Sequence, residues 1–137
     1  FDFIIKNYPY TDYATDARFK IDLIVDQLAA KEMYIARFYM QTEKWIPAIN
    51  RLKGIVEKYD KTIFIEEALH RLVEAYLSLG LVNEAQTAGA ILGYNYRSTD
   101  WYDRTFELLS SKGLKPKSLG NSWLNQIYRQ VVKGQWL

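Results

Sequence analysis

A helical pattern that returns after 37 residues limits this chain more than any other feature. From Met33 to Thr62 it reads MYIARFYMQTEKWIPAINRLKGIVEKYDKT, two helices joined by a tight turn at Thr42–Lys44. Ile35, Phe38, Tyr39 and Thr42 recur at helical spacing on the first helix, and Ala48, Leu52, Ile55 and Tyr59 on the second. Shifted by 37, Tyr39 is matched by Tyr76, Glu43 by Gly80, Ala48 by Ala85, Ile55 by Leu92 and Tyr59 by Tyr96.

Ala36, Tyr39, Ala48 and Ile55 form the skeleton of a tetratricopeptide (TPR) hairpin. Its small residues let two antiparallel helices approach, and its larger ones fill the groove between them. Tyr8-Pro9-Tyr10-Thr11, Tyr59-Asp60-Lys61-Thr62 and Tyr96-Arg97-Ser98-Thr99 share a Tyr and a Thr three residues on. The reading is a buried Tyr closing one helix and a Thr hydroxyl capping the next. Acids follow each Thr (Asp12 and Asp16, Glu66 and Glu67, Asp100 and Asp103), where a helix N-terminus favours negative charge. The expected fold is all-α: a right-handed TPR array with one unusually long helix.

That long helix is read between Tyr10 and Thr42, where no Gly or Pro interrupts the chain. Ala14, Ala17, Ile21, Ile24, Leu28, Ile35 and Phe38 lie on one seam, giving about 32 residues and roughly 48 Å. The alternative is a reversal near Ala30–Glu32. Further helices are expected at Lys44–Lys58, Thr62–Leu79 ending on Gly80, Val82–Gly93, Thr99–Ser110 ending near Gly113, and Ser122–Lys133. Gly89 stands where a large apolar residue is usual; it permits close helix approach or weakens the helix. Residues 1–113 are expected to form the array, and 114–137 a linker and an amphipathic C-terminal helix. That helix either caps the last repeat or docks to a partner or an acidic membrane surface. Phe1 to Asn7 reads as the end of a helix whose repeat partner is missing, as in a piece of a longer protein. The apolar Phe1, Phe3, Ile4 and Ile5 then need a cover.

The chain has 137 residues and is 49% apolar, with no run of eighteen apolar residues that would span a bilayer. It has no cysteine, which removes disulfides, thiolate chemistry and cysteine-rich metal sites. Five basic residues and no acid lie from Lys112 onward; before them, 13 basic and 16 acidic residues leave a mildly acidic body. That charge argues against nucleic acid as a partner.

Catalytic, cofactor and metal sites are not expected. His70 is the only histidine and reads as a surface or packing residue. Glu66 and Glu67 point about 100° apart on a helix, so they cannot share a substrate as an acid–base pair. No Gly-rich phosphate loop is present. One constellation suits a protein partner. Lys44, Arg51 and Lys58, seven apart, form a basic stripe beside the buried face of one helix. Arg51 is central, because a guanidinium clamps a carboxylate in two bonds. A solvated flank is the alternative.

The N-Y-P-x-T junction, the long helix DYATDARFKIDLIVDQLAAKEMYIARFYM and the segment WIPAINRL resemble the BamD family. That family comprises TPR lipoproteins of the bacterial outer-membrane β-barrel assembly machinery. The resemblance runs from Phe1 to about Thr99 and covers the C-terminal half of a five-repeat array. Asp60 and Arg97 replace the proline typical of the family's repeat ends, and the region from Trp101 onward lies beyond the match. The resemblance implies a non-enzymatic scaffold on the periplasmic face of the outer membrane, its lipid anchor lying outside this chain. It implies binding to the periplasmic domain of the barrel protein BamA, with other assembly-complex lipoproteins and unfolded β-barrel precursors as further partners. The family's partner-contacting Arg corresponds to Arg51, with Lys44, Lys58, Trp45 and Phe38 around it. From the residues alone the competing reading is a cytoplasmic TPR adaptor that binds a peptide in its groove.

Overall fold

The computed structural model describes residues 6–7, 11–97 and 99–133. Among them are six helices and no strand: α1 (Asp12–Gln41), α2 (Trp45–Lys58), α3 (Ile65–Ser78), α4 (Val82–Asn95), α5 (Asp100–Ser111) and α6 (Trp123–Val132). Helices α1–α2 and α3–α4 pack as antiparallel hairpins, α2 packs on α3, and α5 lies over α3 and α4. The all-α, TPR-type array expected from the repeat is what forms. The covering expected over Phe1, Phe3, Ile4 and Ile5 lies outside the described residues, as do Tyr8-Pro9-Tyr10 and Ser98 of the junctions.

The long helix runs 30 residues without a reversal at Ala30–Glu32. Thr11 caps it by accepting from the Ala14 amide at 3.1 Å. Its buried stripe differs from the seam read in the sequence. Ala14, Ala17, Ala29, Met33, Ala36 and Met40 are buried, whereas Ile24, Leu28 and Phe38 are 47%, 45% and 54% exposed. Helix α2 has only 14 residues and follows a tight turn, so it covers α1 near its C-terminal end. There the small residues and the flexible methionines, not the β-branched ones, face the partner helix.

The two complete hairpins end their first helices alike. Lys44 N–H donates to Tyr39 O at 2.9 Å and Leu81 N–H to Tyr76 O at 2.8 Å, a 6→1 closure. The residue before each has positive φ: Glu43 at 59° and Gly80 at 77°. The second helices also end alike, with Tyr59 and Tyr96 N–H donating four residues back at 2.8 Å. Thr62 and Thr99 hydroxyls then donate to the carbonyls of those tyrosines at 2.7 Å.

Thr99 goes on to cap α5, accepting from the Tyr102 amide at 3.3 Å. Thr62 does not cap α3 in that way. The helix starts three residues later, at Ile65, and the Thr62 hydroxyl meets the Phe64 amide instead. The added turn puts Ile65 in the core and Phe64 against its edge.

Helix α6 packs on α4, burying Leu124, Asn125 and Val131. The preceding segment is tied along α4: Lys117 N–H donates to Gln86 O at 3.0 Å, and Leu119 N–H to Thr87 Oγ1 at 3.0 Å. At its start Trp123 Nε1 donates to Tyr76 OH at 3.2 Å.

Candidate partner-binding surface

The basic stripe lies on α2. Lys44 is the exposed residue before its first turn, Lys58 its exposed last residue, and Arg51 is half-exposed between them. Fourteen residues of helix set the two lysines about 21 Å apart. Arg51 reaches back to α1. Its Nη1 donates to both oxygens of Glu32 on α1, at 3.0 and 3.2 Å. The remaining Nε and Nη2 edge makes no hydrogen bond to any described residue, and 42% of the side chain stays in water. The guanidinium is thus anchored on one edge and open on the other. Phe38 on α1 is exposed beside Tyr39, ring centroids 5.9 Å apart. Trp45 is half-buried against the core edge, which makes it part of the hairpin's packing as well as its rim.

The 37-residue repeat shows what surrounds this face. Asn50, Arg51 and Gly54 of α2 correspond to Thr87, Ala88 and Ile91 of α4. The α4 residues are all fully buried, Thr87 held by Leu119 of the segment leading into α6. On α2 the same positions are exposed or half-exposed. A face that the chain covers on one hairpin is left open on the other, and there it carries charge.

A second constellation was missed in the sequence. Glu67, expected only as a first-turn acid, is buried between two arginines. Arg37 of α1 approaches it with Nε at 2.8 Å and Arg71 with Nε at 2.9 Å. Burial alone raises the Glu67 carboxyl; the bonds from Arg37 and Arg71 override it and hold it below its usual range. Arg71 also reaches Glu74, whose carboxyl burial pushes upward. His70 is a packing residue as read: it is buried, with Nδ1 2.7 Å from Thr105 Oγ1 of α5 and its ring 5.5 Å from Trp101. Burial, with Arg71 and Arg104 nearby, depresses it to about 4. Arg104 lies over Trp101 at 4.7 Å. The signal available in the sequence was Arg37, Glu67 and Arg71 on the first helices of successive hairpins. Only the docking angle of those helices brings them together.

The network is locked in mutual ion pairs and hydrogen bonds, and no group of acids and histidine among the described residues would hold a metal ion. No helix among them is long and apolar enough to cross a membrane.

The profile of a family described as YfiO, outer membrane lipoprotein, matches residues 1–91. The outer membrane protein assembly factor BamD of Caulobacter vibrioides is 49% identical over 113 residues, 82% of this chain and 37% of that protein. The BamD of Rickettsia prowazekii is 43% identical over 111 residues, 81% of this chain and 44% of that protein. The chain therefore spans about two-fifths of the relatives it matches. On a profile match over residues 1–91 and these identities, the chain belongs to the YfiO family of outer-membrane lipoproteins, the family of the BamD assembly factors.

Proposed function

We propose that this chain is the C-terminal part of a BamD-type scaffold that works at the periplasmic face of the outer membrane, where it helps assemble β-barrel proteins. Its main partner is the periplasmic domain of a BamA-like barrel protein. The other lipoproteins of the complex and unfolded barrel precursors are further partners, and a lipid anchor outside this chain holds the scaffold at the membrane. The observation that carries the reading is the open face of α2. Its equivalent on α4 is buried by the chain itself, while Arg51 stands on α2 with one guanidinium edge unused and Lys44 and Lys58 exposed on either side. Such a face suits an acidic protein surface, with Phe38 and Trp45 as its apolar rim. Within the chain we assign residues 1–113 to the array and 114–137 to a linker and a helix that caps it.

The test is titration of charge-reversed variants with the BamA periplasmic domain. Arg51→Glu is expected to weaken binding about thirty-fold or more, because two like charges then meet in a partly desolvated contact. Lys44→Glu and Lys58→Glu act through screened attraction and should weaken it only several-fold. Reversing Arg51 also sets it against Glu32, so Glu32→Gln is the control: it removes the internal pair while keeping the arginine. Equal affinity for the wild type and Arg51→Glu would sink the assignment.

A further inference from the structure

Between α4, α5 and α6 lies an open trough of about 730 Å³. It is independent of the α2 face and lies largely outside the 1–91 family match. Tyr94, Tyr102, Phe106 and Tyr128 line it, and among the described residues Arg97 and Lys115 bring the only charges to its walls. The trough is built, not left over. Its floor is Ala90 and Gly93, and a Cβ on Gly93 would stand 2.7 Å from the Tyr102 ring. Tyr94 meets Tyr128 edge to face at 6.4 Å, tying α4 to α6 along one wall. Tyr102 and Phe106 are adjacent on the other, centroids 6.2 Å apart, and Phe106 is 47% exposed.

The two cations stand at opposite ends. Arg97 follows the C-terminus of α4. Lys115 is held near the helix's first turns, where its carbonyl accepts from Gln86 Nε2 at 2.9 Å. Nine helical steps from Gln86 to the end of α4 span about 14 Å, and Arg97 lies two residues beyond. Neither cation forms an ion pair with a described residue. Asp103 and Glu107 line an adjoining hollow on α5 that shares Arg97, Tyr102 and Phe106 with the trough, and neither acid pairs with Arg97. An apolar, tyrosine-rich trough with an unpaired cation at each end is complementary to one kind of occupant. We propose that it binds an extended acidic peptide segment of another protein, with an aromatic or large aliphatic residue seated among the tyrosines and a carboxylate at each end. At about 3.3 Å per residue, acids four positions apart span roughly 13 Å, which the reach of the Arg and Lys side chains completes. Tyrosine hydroxyls supply hydrogen-bond partners for the peptide backbone along the way.

The experiment uses the chain as it stands and a fluorescein-labelled peptide with glutamates at its first and fifth positions around a central phenylalanine. Fluorescence anisotropy should show saturable binding that weakens as salt rises. Arg97→Glu and Lys115→Glu should each weaken it about tenfold, and Phe106→Ala by a similar factor. All three side chains are on the surface, so circular dichroism should be unchanged. Arg51→Glu should leave this binding intact, which separates the trough from the contact proposed on α2. The same peptide with lysines in place of glutamates should not bind. The proposal falls if the lysine peptide binds equally well, if no binding is seen, or if reversing both cations leaves the affinity unchanged.

Discussion

The two hairpins share a backbone frame and differ in almost every residue that meets a neighbour. Both close their first helix with the same 6→1 hydrogen bond and their second with the same Tyr-x-x-Thr turn. Ala48 and Ala85 sit at the same crossing, both fully buried. Elsewhere the positions diverge. Leu52 and Val56 of α2 become Gly89 and Gly93 of α4; Met33 of α1 becomes His70 of α3; Arg51 becomes Ala88; Glu43 becomes Gly80. The frame follows from helix ends and small residues at crossings. The rest follows from what each hairpin must receive: α4 takes α5 on one side and α6 on another, whereas α2 keeps one face open.

The largest effect should come from making α4 resemble α2 in its neighbours. Deleting residues 118–137 uncovers Thr87, Ala88 and Ile91, and takes away the fully buried Leu124 and Val131. Burial of such side chains is worth about 1.5–3 kcal/mol each. The loss should be about 3–5 kcal/mol, visible as a fall in Tm of ten degrees or more. An unchanged Tm would remove the capping role proposed for α6.

Next comes a single exchange in the same helix. Gly89→Leu restores the residue found at the equivalent Leu52. A Cβ alone at Gly89 would lie 2.8 Å from Leu109 Cδ1 and 3.4 Å from Thr105 Cγ2. The rest of a leucine would displace α5, at a cost of about 3 kcal/mol in urea unfolding. Gly54→Ala on α2 meets nothing within 4 Å and should stabilise by about 0.5–1 kcal/mol through helix propensity. The contrast tests whether Gly89 serves close approach, one of the two readings its position allowed.

The array, its turns and its unbroken long helix were legible because they depend on local spacing and on residues at helix ends. The face of α1 was not. Ile24, Leu28 and Phe38 look like core by periodicity, but whether a stripe is buried depends on where the shorter α2 ends against it. Arg51 was legible as one of three basic residues at heptad spacing, but its bond to Glu32 was not, since the two are 19 residues apart on different helices. Arg37–Glu67 and His70–Thr105 were hidden for the same reason. Sequence spacing gives the residues of one helix face, and only the packing angle says which other face they meet.

The exchange of Met33 for His70 should give the second hairpin a pH response that the first lacks. His70 is depressed to about 4 in the folded chain, while in the unfolded chain it titrates near 6.5. Above that value both states are neutral and the histidine costs nothing. As pH falls through 6.5 the unfolded chain gains a proton that the folded one refuses, so stability is lost until the pH reaches about 4. By pH 5 the loss should be about 2 kcal/mol. His70→Met, copying the first hairpin, should flatten the urea midpoint between pH 7 and pH 5. If the wild type and the variant lose stability in parallel, the buried histidine is not the group responsible.

The smallest effect lies in the turns. Glu43 and Gly80 occupy the same position after their helices, with φ of 59° and 77°. That region strains any residue with a Cβ, because the Cβ crowds the carbonyl that follows. Glycine avoids the strain but gives up more chain entropy on folding. The two terms oppose each other, and in a left-handed helix cap the relief of strain is the larger. Glu43→Gly should therefore raise stability by about 0.5–1 kcal/mol. Gly80→Ala should lower it by about 1 kcal/mol, although a Cβ there touches nothing within 4 Å. Both changes leave the buried surface alone, so the midpoint of urea unfolding should move while its slope stays constant. If Glu43→Gly proves destabilising, the glutamate is held by something other than backbone geometry. If Gly80→Ala is harmless, the turn after α3 relaxes out of the left-handed region, and the two hairpins do not share a closure in solution.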